Sequence, residues 1–145
     1  MACGRFHTLA LTSDGIVWAW GGNAYSQLGI GNTTKSIVPI KVSGLCGVRA
    51  IGASALHTLA LKDDGIVWIW GNNNYGQLGD GSTAIRNLPV KINTLNNVIA
   101  IASGTFYNAA ITSDGIFWTL GRNFNGQLGN GTTTDSLTPI PVIWQ

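Results

Sequence analysis

Apolar and polar residues alternate over short stretches of this chain, and the alternation returns every fifty residues. His57 to Lys62 reads H-T-L-A-L-K, which sets Leu59 and Leu61 on one side of a strand and Thr58 and Ala60 on the other. Asp64-Gly65 then closes a tight hairpin, Asp bonding its own backbone and Gly supplying the positive φ. Beyond the turn, Ile66 to Gly71 puts Ile66, Trp68 and Trp70 on one face and Val67, Ile69 and Gly71 on the other. A strand that is apolar on both faces lies between two packed sheets. Upstream, V-R-A-I-G-A at 48–53 and V-I-A-I-A-S at 98–103 are built of small and β-branched residues, as an innermost strand requires where sheets converge. A fourth strand near Leu88 to Ile92 carries Pro89, which cannot donate to a ladder and so belongs at an outer edge. Pro39 and Pro139 repeat that placement.

The pairs Asp14-Gly15, Asp64-Gly65 and Asp114-Gly115 are each fifty residues apart, and the three rows align without a gap. Around them recurs a stretch seen at Trp68 to Gly81 as W-I-W-G-N-N-N-Y-G-Q-L-G-D-G. In the first copy the positions identical in all three are Ala10, Asp14, Gly15, Ile16, Trp18, Gly21, Asn23, Gln27, Leu28, Gly29, Gly31, Thr33 and Pro39. Self-similarity at this period predicts a propeller or a solenoid. A four-stranded unit, buried on both faces and graded from small to large side chains outward, is a propeller blade. The expected fold is therefore all-β, a single repeat domain over 1–145, with blades at 1–45, 46–95 and 96–145. Met1 aligns with Ile51, so the first blade starts inside its first strand.

Composition supports strands over helices. Twenty glycines, no glutamate and few lysines or arginines leave nothing to build the charged face of an amphipathic helix. A formal net charge of +2, with no Lys/Arg cluster interleaved with aromatics, excludes nucleic acid from the expected partners. No apolar run approaches the roughly 20 residues a bilayer span needs, so no membrane is expected. Cys3 and Cys46 lack metal-type spacing and do not recur in the repeat; free thiols and a reducing, cytoplasmic setting are expected.

Candidate chemistry adds little. The loop Gly71 to Gly81 has the glycine content of a phosphate cradle but neither a Gly-Lys-Ser/Thr ending nor a helix start. Gln27, Gln77 and Gln127 are expected to bond loop backbone, and Leu28, Leu78 and Leu128 to plug the loop onto the blade. His7 and His57 hold equivalent positions without a nearby Cys or carboxylate, and the third copy has Tyr107, so a structural hydrogen bond is expected and no metal. Asp63 and Asp64 are neighbours in a turn and point apart, unlike a catalytic pair. No catalytic residue and no cofactor are expected.

The run from His7 to Gly31, H-T-L-A-L-T-S-D-G-I-V-W-A-W-G-G-N-A-Y-S-Q-L-G-I-G, resembles the repeat of the regulator of chromosome condensation family. The resemblance recurs in all three units; the departures are Ser26 against Gly76 and Gly126, Leu120 against Trp20 and Trp70, and Tyr107 against His7 and His57. It implies a ring of about seven blades, inside the usual propeller range. Three blades cannot close such a ring, and an open arc would expose an apolar face at each end without the polar caps that repeat proteins need. The expectation is a piece of a longer protein, or self-association of two or more chains that completes a ring.

Residues that break the repeat are the ones the fold does not dictate. Lys35, Tyr75, Asp80, Arg86, Arg122, Phe124 and Asp135 all differ between copies and fall in the loops at 22–37, 72–87 and 122–137. They are the candidate partner-binding residues, because Arg and Tyr are favoured at interaction hot spots. Arg5, Arg49, Phe106 and Tyr107 also vary. The first expectation is a non-catalytic module that presents loops to a protein partner. The resemblance also implies guanine-nucleotide exchange on a Ran-like small GTPase, although the gap-free units contain no inserted hairpin to act as a wedge. A third reading is a propeller of the kind that plugs a β-lactamase.

Overall fold

A computed structural model describes residues 1–144. Strands β1 (Ala2–Cys3), β2 (His7–Leu11), β3 (Val17–Gly21) and β4 (Ser36–Lys41) form the first sheet. The second contains β5 (Val48–Ala53), β6 (His57–Lys62), β7 (Val67–Gly71) and β8 (Arg86–Lys91). The third contains β9 (Val98–Ser103), β10 (Tyr107–Thr112), β11 (Phe117–Gly121) and β12 (Ser136–Pro141). Each sheet is an antiparallel meander in chain order, and no helix occurs among the described residues. The architecture is all-β, three four-stranded blades of a partial propeller.

The turns follow from their residues. Ile66 N donates to Asp64 Oδ1 at 3.1 Å and Ile116 N to Asp114 Oδ1 at 3.3 Å, while Gly65 and Gly115 take φ of +76° and +84°. The prolines stand in β4, β8 and β12, each the last strand of its sheet, where one edge needs no donor. The inner strands β1, β5 and β9 pack on one another, which their small side chains permit. Three boundaries differ from the sequence pattern: the third strand begins at Val67, after Ile66, and the fourth runs from Arg86 to Lys91, starting before Leu88 and ending before Ile92. The ladder slips between Ile69 and Gly71, and Gly71 then pairs with Arg86. The same slip recurs before Gly21 and Gly121. Gly71 sits there at φ +102°, and a Cβ on it would come within 2.7 Å of the Leu56 carbonyl oxygen.

The core lies between sheets, not inside any one of them. Leu9, Val17, Ala19 and Leu28 of the first sheet share a buried cluster with Ala60 and Trp70 of the second. Leu59, Val67, Ile69 and Leu78 of the second do the same with Ala110 and Leu120 of the third. Each sheet therefore offers its even β2-type positions to the preceding sheet and its odd ones to the next. The middle sheet is covered on both faces and Trp70 is fully buried, whereas Trp20, its counterpart in the first sheet, is half-buried.

A buried hydrogen-bond relay crosses each junction. His7 Nε2 lies 2.9 Å from Thr58 Oγ1, and Thr58 Oγ1 donates to the Gln27 carbonyl at 2.7 Å, so the imidazole proton resides on Nε2. At the next junction His57 Nε2 donates to Asn108 Oδ1 at 2.9 Å and Asn108 Nδ2 donates to the Gln77 carbonyl at 2.8 Å. Burial pushes both imidazoles down to about 4; at His57 the bond to Asn108 opposes this and the proximity of His7 adds to it. The two histidines are thus structural.

Candidate functional site

Three loops of one design line the same edge of the blades. In each, one asparagine is the hub: Asn73 Nδ2 donates to the carbonyls of Ser82 and Ala84, both at 3.0 Å, and its Oδ1 accepts from Leu78 N at 2.9 Å. Asn23 and Asn123 repeat these bonds. Gln27, Gln77 and Gln127 each accept from the backbone N–H two residues earlier at 2.9 Å, and Leu28, Leu78 and Leu128 are fully buried beneath the loops. The loops are therefore held rigidly from within, and the residues that vary between copies project from a fixed frame.

Two of the candidate residues serve that frame. Arg86 Nη2 lies 2.6 Å from Asp80 Oδ2 and its Nε donates to the same oxygen at 2.8 Å. Asp80 Oδ1 also accepts from the backbone and hydroxyl of Ser82. Desolvation opposes ionisation of Asp80, but the bonds from Ser82 and Arg86 outweigh it and hold the carboxyl below the usual range. Asp135, in the third loop, accepts from Asn123 N at 2.7 Å and so ties the two ends of that loop. Both acids are occupied by their own loops; Arg86 keeps an exposed edge.

Tyr75, Arg122 and Phe124 come together at the junction of the second and third blades, joined by Phe106. The Arg122 guanidinium lies 4.9 Å from the Tyr75 ring centroid and 5.9 Å from those of Phe106 and Phe124. Tyr75 and Phe106 are themselves 5.1 Å apart at 50°. Phe124 is 71% exposed, so the cluster ends in an open aromatic face. Phe106 was visible in the sequence only as one more residue that varies; its part in the cluster depends on the Arg122 N–H donating to the Phe106 carbonyl at 2.9 Å, which pins the two backbones together. A guanidinium over several rings gains about 0.5–1 kcal/mol per exposed contact, so the cluster is held in place before any partner arrives.

The first blade lacks this arginine. Gly22 and Ala24 stand where Arg122 and Phe124 stand in the third, and the vacated space is a groove of about 450 Å³ lined by Phe6, Gly22, Ala24, Tyr25, Lys35 and Leu56. Lys35 is exposed on the rim of this groove, apart from the aromatic cluster. Arg5 lies 5.0 Å from the Phe6 ring. Phe6 and Tyr25 are thus further members of the loop face that pattern-breaking alone did not select.

The face carries cations, aromatic rings and an apolar groove, and no nucleophile paired with a base. Among the described residues no group of three or more His, Cys, Asp or Glu gathers as a metal site would require, and Cys3 and Cys46 are free and exposed.

Two sequence profiles of the regulator of chromosome condensation (RCC1) repeat match the chain, one over residues 64–111 and 114–144, the other over 1–27 and 48–77. A stretch of 49 residues, 34% of this chain, is 47% identical to the ultraviolet-B receptor UVR8 of Arabidopsis thaliana and corresponds to 11% of that protein. The structure of Prp20p from Saccharomyces cerevisiae, described with its binding to Gsp1p and histones, superposes with a TM-score of 0.88 at 22% identity over 99% of this chain and 37% of Prp20p. Human WBSCR16 superposes with a TM-score of 0.86 at 29% identity, over 99% of this chain and 39% of its own. The chain thus spans well under half of each of these proteins.

Proposed function

Since the chain belongs to the regulator of chromosome condensation repeat family, we propose that it works as a non-catalytic protein-binding module whose loop face grips a protein partner. The observation that carries this reading is the Arg122 cluster: a guanidinium stacked among Tyr75, Phe106 and Phe124, with one phenyl ring left open to solvent. Nothing in the blade requires that arrangement, because the first blade folds with Gly22 and Ala24 in place of Arg122 and Phe124. Stacked Arg and aromatic residues on a rigid frame lose little side-chain entropy on binding, which is what hot-spot residues need. Prp20p, a protein of the same fold, is described with Gsp1p and histones as binding partners, which favours a protein as the ligand class.

Affinity capture with the chain as bait tests the proposal, run in parallel with an Arg122→Ala/Phe124→Ala variant. Proteins retained by the parent and lost with the variant support it; identical capture by both would overturn it.

Exchange on a Ran-like GTPase is the finer reading within the same class. It needs a projecting element to open the nucleotide site, and the three inter-strand loops here are equal in length. A nucleotide-release assay with such a GTPase decides: unchanged release keeps the binding-module reading, and accelerated release replaces it with exchange.

A further inference from the structure

Side-chain charge divides unevenly between the two edges of the blades. The turn edge balances Lys41, Arg49, Lys62 and Lys91 against Asp14, Asp63, Asp64 and Asp114. The loop edge sets Arg5, Lys35, Arg86 and Arg122 against Asp80 and Asp135 alone, so the formal excess of +2 lies wholly on the loop edge. Both of these acids already accept bonds from their own loops, Asp80 from Arg86 and Ser82, and Asp135 from Asn123 N.

Arg122 differs from the other arginines that the blades hold in place. Arg49 donates to the carbonyls of Lys62 and Val98 at 3.4 and 2.8 Å, and Arg86 pairs with Asp80. Among the described residues the Arg122 guanidinium meets no carboxylate and donates no side-chain hydrogen bond; it is half-buried among rings. Rings approach a guanidinium through its flat faces, whereas its N–H donors point outward in its own plane. Tyr75, Phe106 and Phe124 therefore displace water from the cation without answering its donors. An oxyanion arriving at that edge gains a charge-assisted, two-pronged bond in surroundings of lowered dielectric. The site is internal to the arc, because Arg122 and Phe106 belong to the third blade and Tyr75 to the second, and both blades are described.

Resting on the binding role proposed above, we infer that the partner presents an acidic segment, with an Asp or Glu carboxylate held by Arg122 and an apolar side chain beside it on the open Phe124 ring. The positive excess of the loop edge favours the approach of such a segment and opposes one rich in Lys and Arg, or a second copy of the same edge. Stacking fixes Arg122 before binding, so little side-chain entropy is lost when the carboxylate docks. A nucleic acid also offers oxyanions, but Arg122 is flanked by rings and not by further cations, and a phosphate chain needs several of them.

Short random peptides displayed on phage, selected on the full chain and counter-selected on Arg122→Ala, supply the probes. The retained peptides should share an Asp or Glu next to an aromatic or aliphatic residue. In fluorescence anisotropy a retained peptide should bind the parent roughly tenfold or more tightly than its amide version, with Gln for Glu and Asn for Asp. That comparison leaves the protein untouched, so it holds whatever a substitution does to the fold. Arg122→Lys keeps the charge but loses the fork, and should restore only part of the affinity; added salt should weaken binding of the acidic peptide more than that of the amide. Retained peptides without carboxylates, an amide version that binds equally, or no peptide that distinguishes the parent from Arg122→Ala would overturn the inference. So would an oligonucleotide that displaces the peptide and binds the parent more tightly than Arg122→Ala. The binding-module reading fails separately: protein capture lost with Arg122→Ala/Phe124→Ala, while acid and amide peptides bind alike, removes the carboxylate and leaves the module.

Discussion

His7 and His57 donate through Nε2 and carry a buried Nδ1 that meets no partner among the described residues, so a second proton would leave a charged, unpaired donor in the interior. Their pKa is therefore depressed to about 4 in the folded chain, below the ordinary value of 6.5. Between those two values the unfolded chain binds more protons, so the stabilisation is complete above about 6.5 and is lost as the pH falls toward 4. Urea midpoints at pH 7 and pH 5 should differ by an amount equivalent to about 2 kcal/mol per histidine. A His57→Gln variant should remove about half of that difference, with His7 supplying the rest. Asp80 contributes with the same sign at lower pH: its carboxyl is held below the ordinary range by Ser82 and Arg86, so the anchoring of its loop is lost only as the pH falls below the usual carboxylate range. Across the first junction Ser26 Oγ donates to Asn87 Oδ1 at 2.8 Å, whereas at the same place in the second Gly76 faces Leu137, and a Cβ on Gly76 would lie 2.7 Å from Leu137 Cα. Gly76→Ser should cost about 1–3 kcal/mol through its clash with Leu137. Adding Leu137→Asn should recover most of that cost, giving a coupling energy measurable by a double-mutant cycle.

Strands and turns were largely legible from alternation alone. The Asp-Gly turns and the inner strands at 48–53 and 98–103 lie where the pattern puts them, and the proline-bearing outer strand of the second sheet lies within two residues of it, at Arg86–Lys91. The slip before Gly71 was not legible, because alternation reports which way a side chain faces and not which residue pairs across the ladder. Its physical marker is the close approach of Gly71 to the Leu56 carbonyl, and Gly71→Ala should destabilise the chain by about 2 kcal/mol or more in thermal or urea unfolding. The loops divide in the same manner. That Gln and Leu build the frame follows from their identity in every copy, whereas the asparagine hub, just as invariant, shows its role only in the bonds of Asn73 to Ser82, Ala84 and Leu78. That Tyr75, Arg122 and Phe124 meet does not, because they reach one another only across a junction and only with Phe106 between two of them. Asp80 and Arg86 looked equally free in the sequence, yet six residues of loop bring them into a two-pronged ion pair. Arg122→Ala with Phe124→Ala should therefore leave the melting temperature nearly unchanged, since an exposed cation–ring contact contributes only about 0.5–1 kcal/mol, whereas Asp80→Ala should lower it.

Taken whole, the molecule is three blades joined by two junctions. Both hydrophobic clusters straddle a junction, so the middle blade is covered on both faces while apolar side chains of the third stay partly exposed: Phe117 is 42% exposed and Trp144 packs edge-on against it at 5.3 Å while remaining 72% exposed.

The repeat by itself determined the fold class, the number of blades and the frame of every loop, because a fifty-residue period of Trp, Gly and Asp-Gly turns can be satisfied by little else. It determined those things through local forces: alternation, turn chemistry and proline's missing donor act within a few residues. Everything that sets one blade apart from another was decided by the tertiary structure. Which varying residues are spent on the frame and which stay available depends on contacts that close a loop, as between Asp80 and Arg86, or cross a junction, as between Tyr75 and Arg122, where the sequence supplies the side chains but only packing supplies the distances.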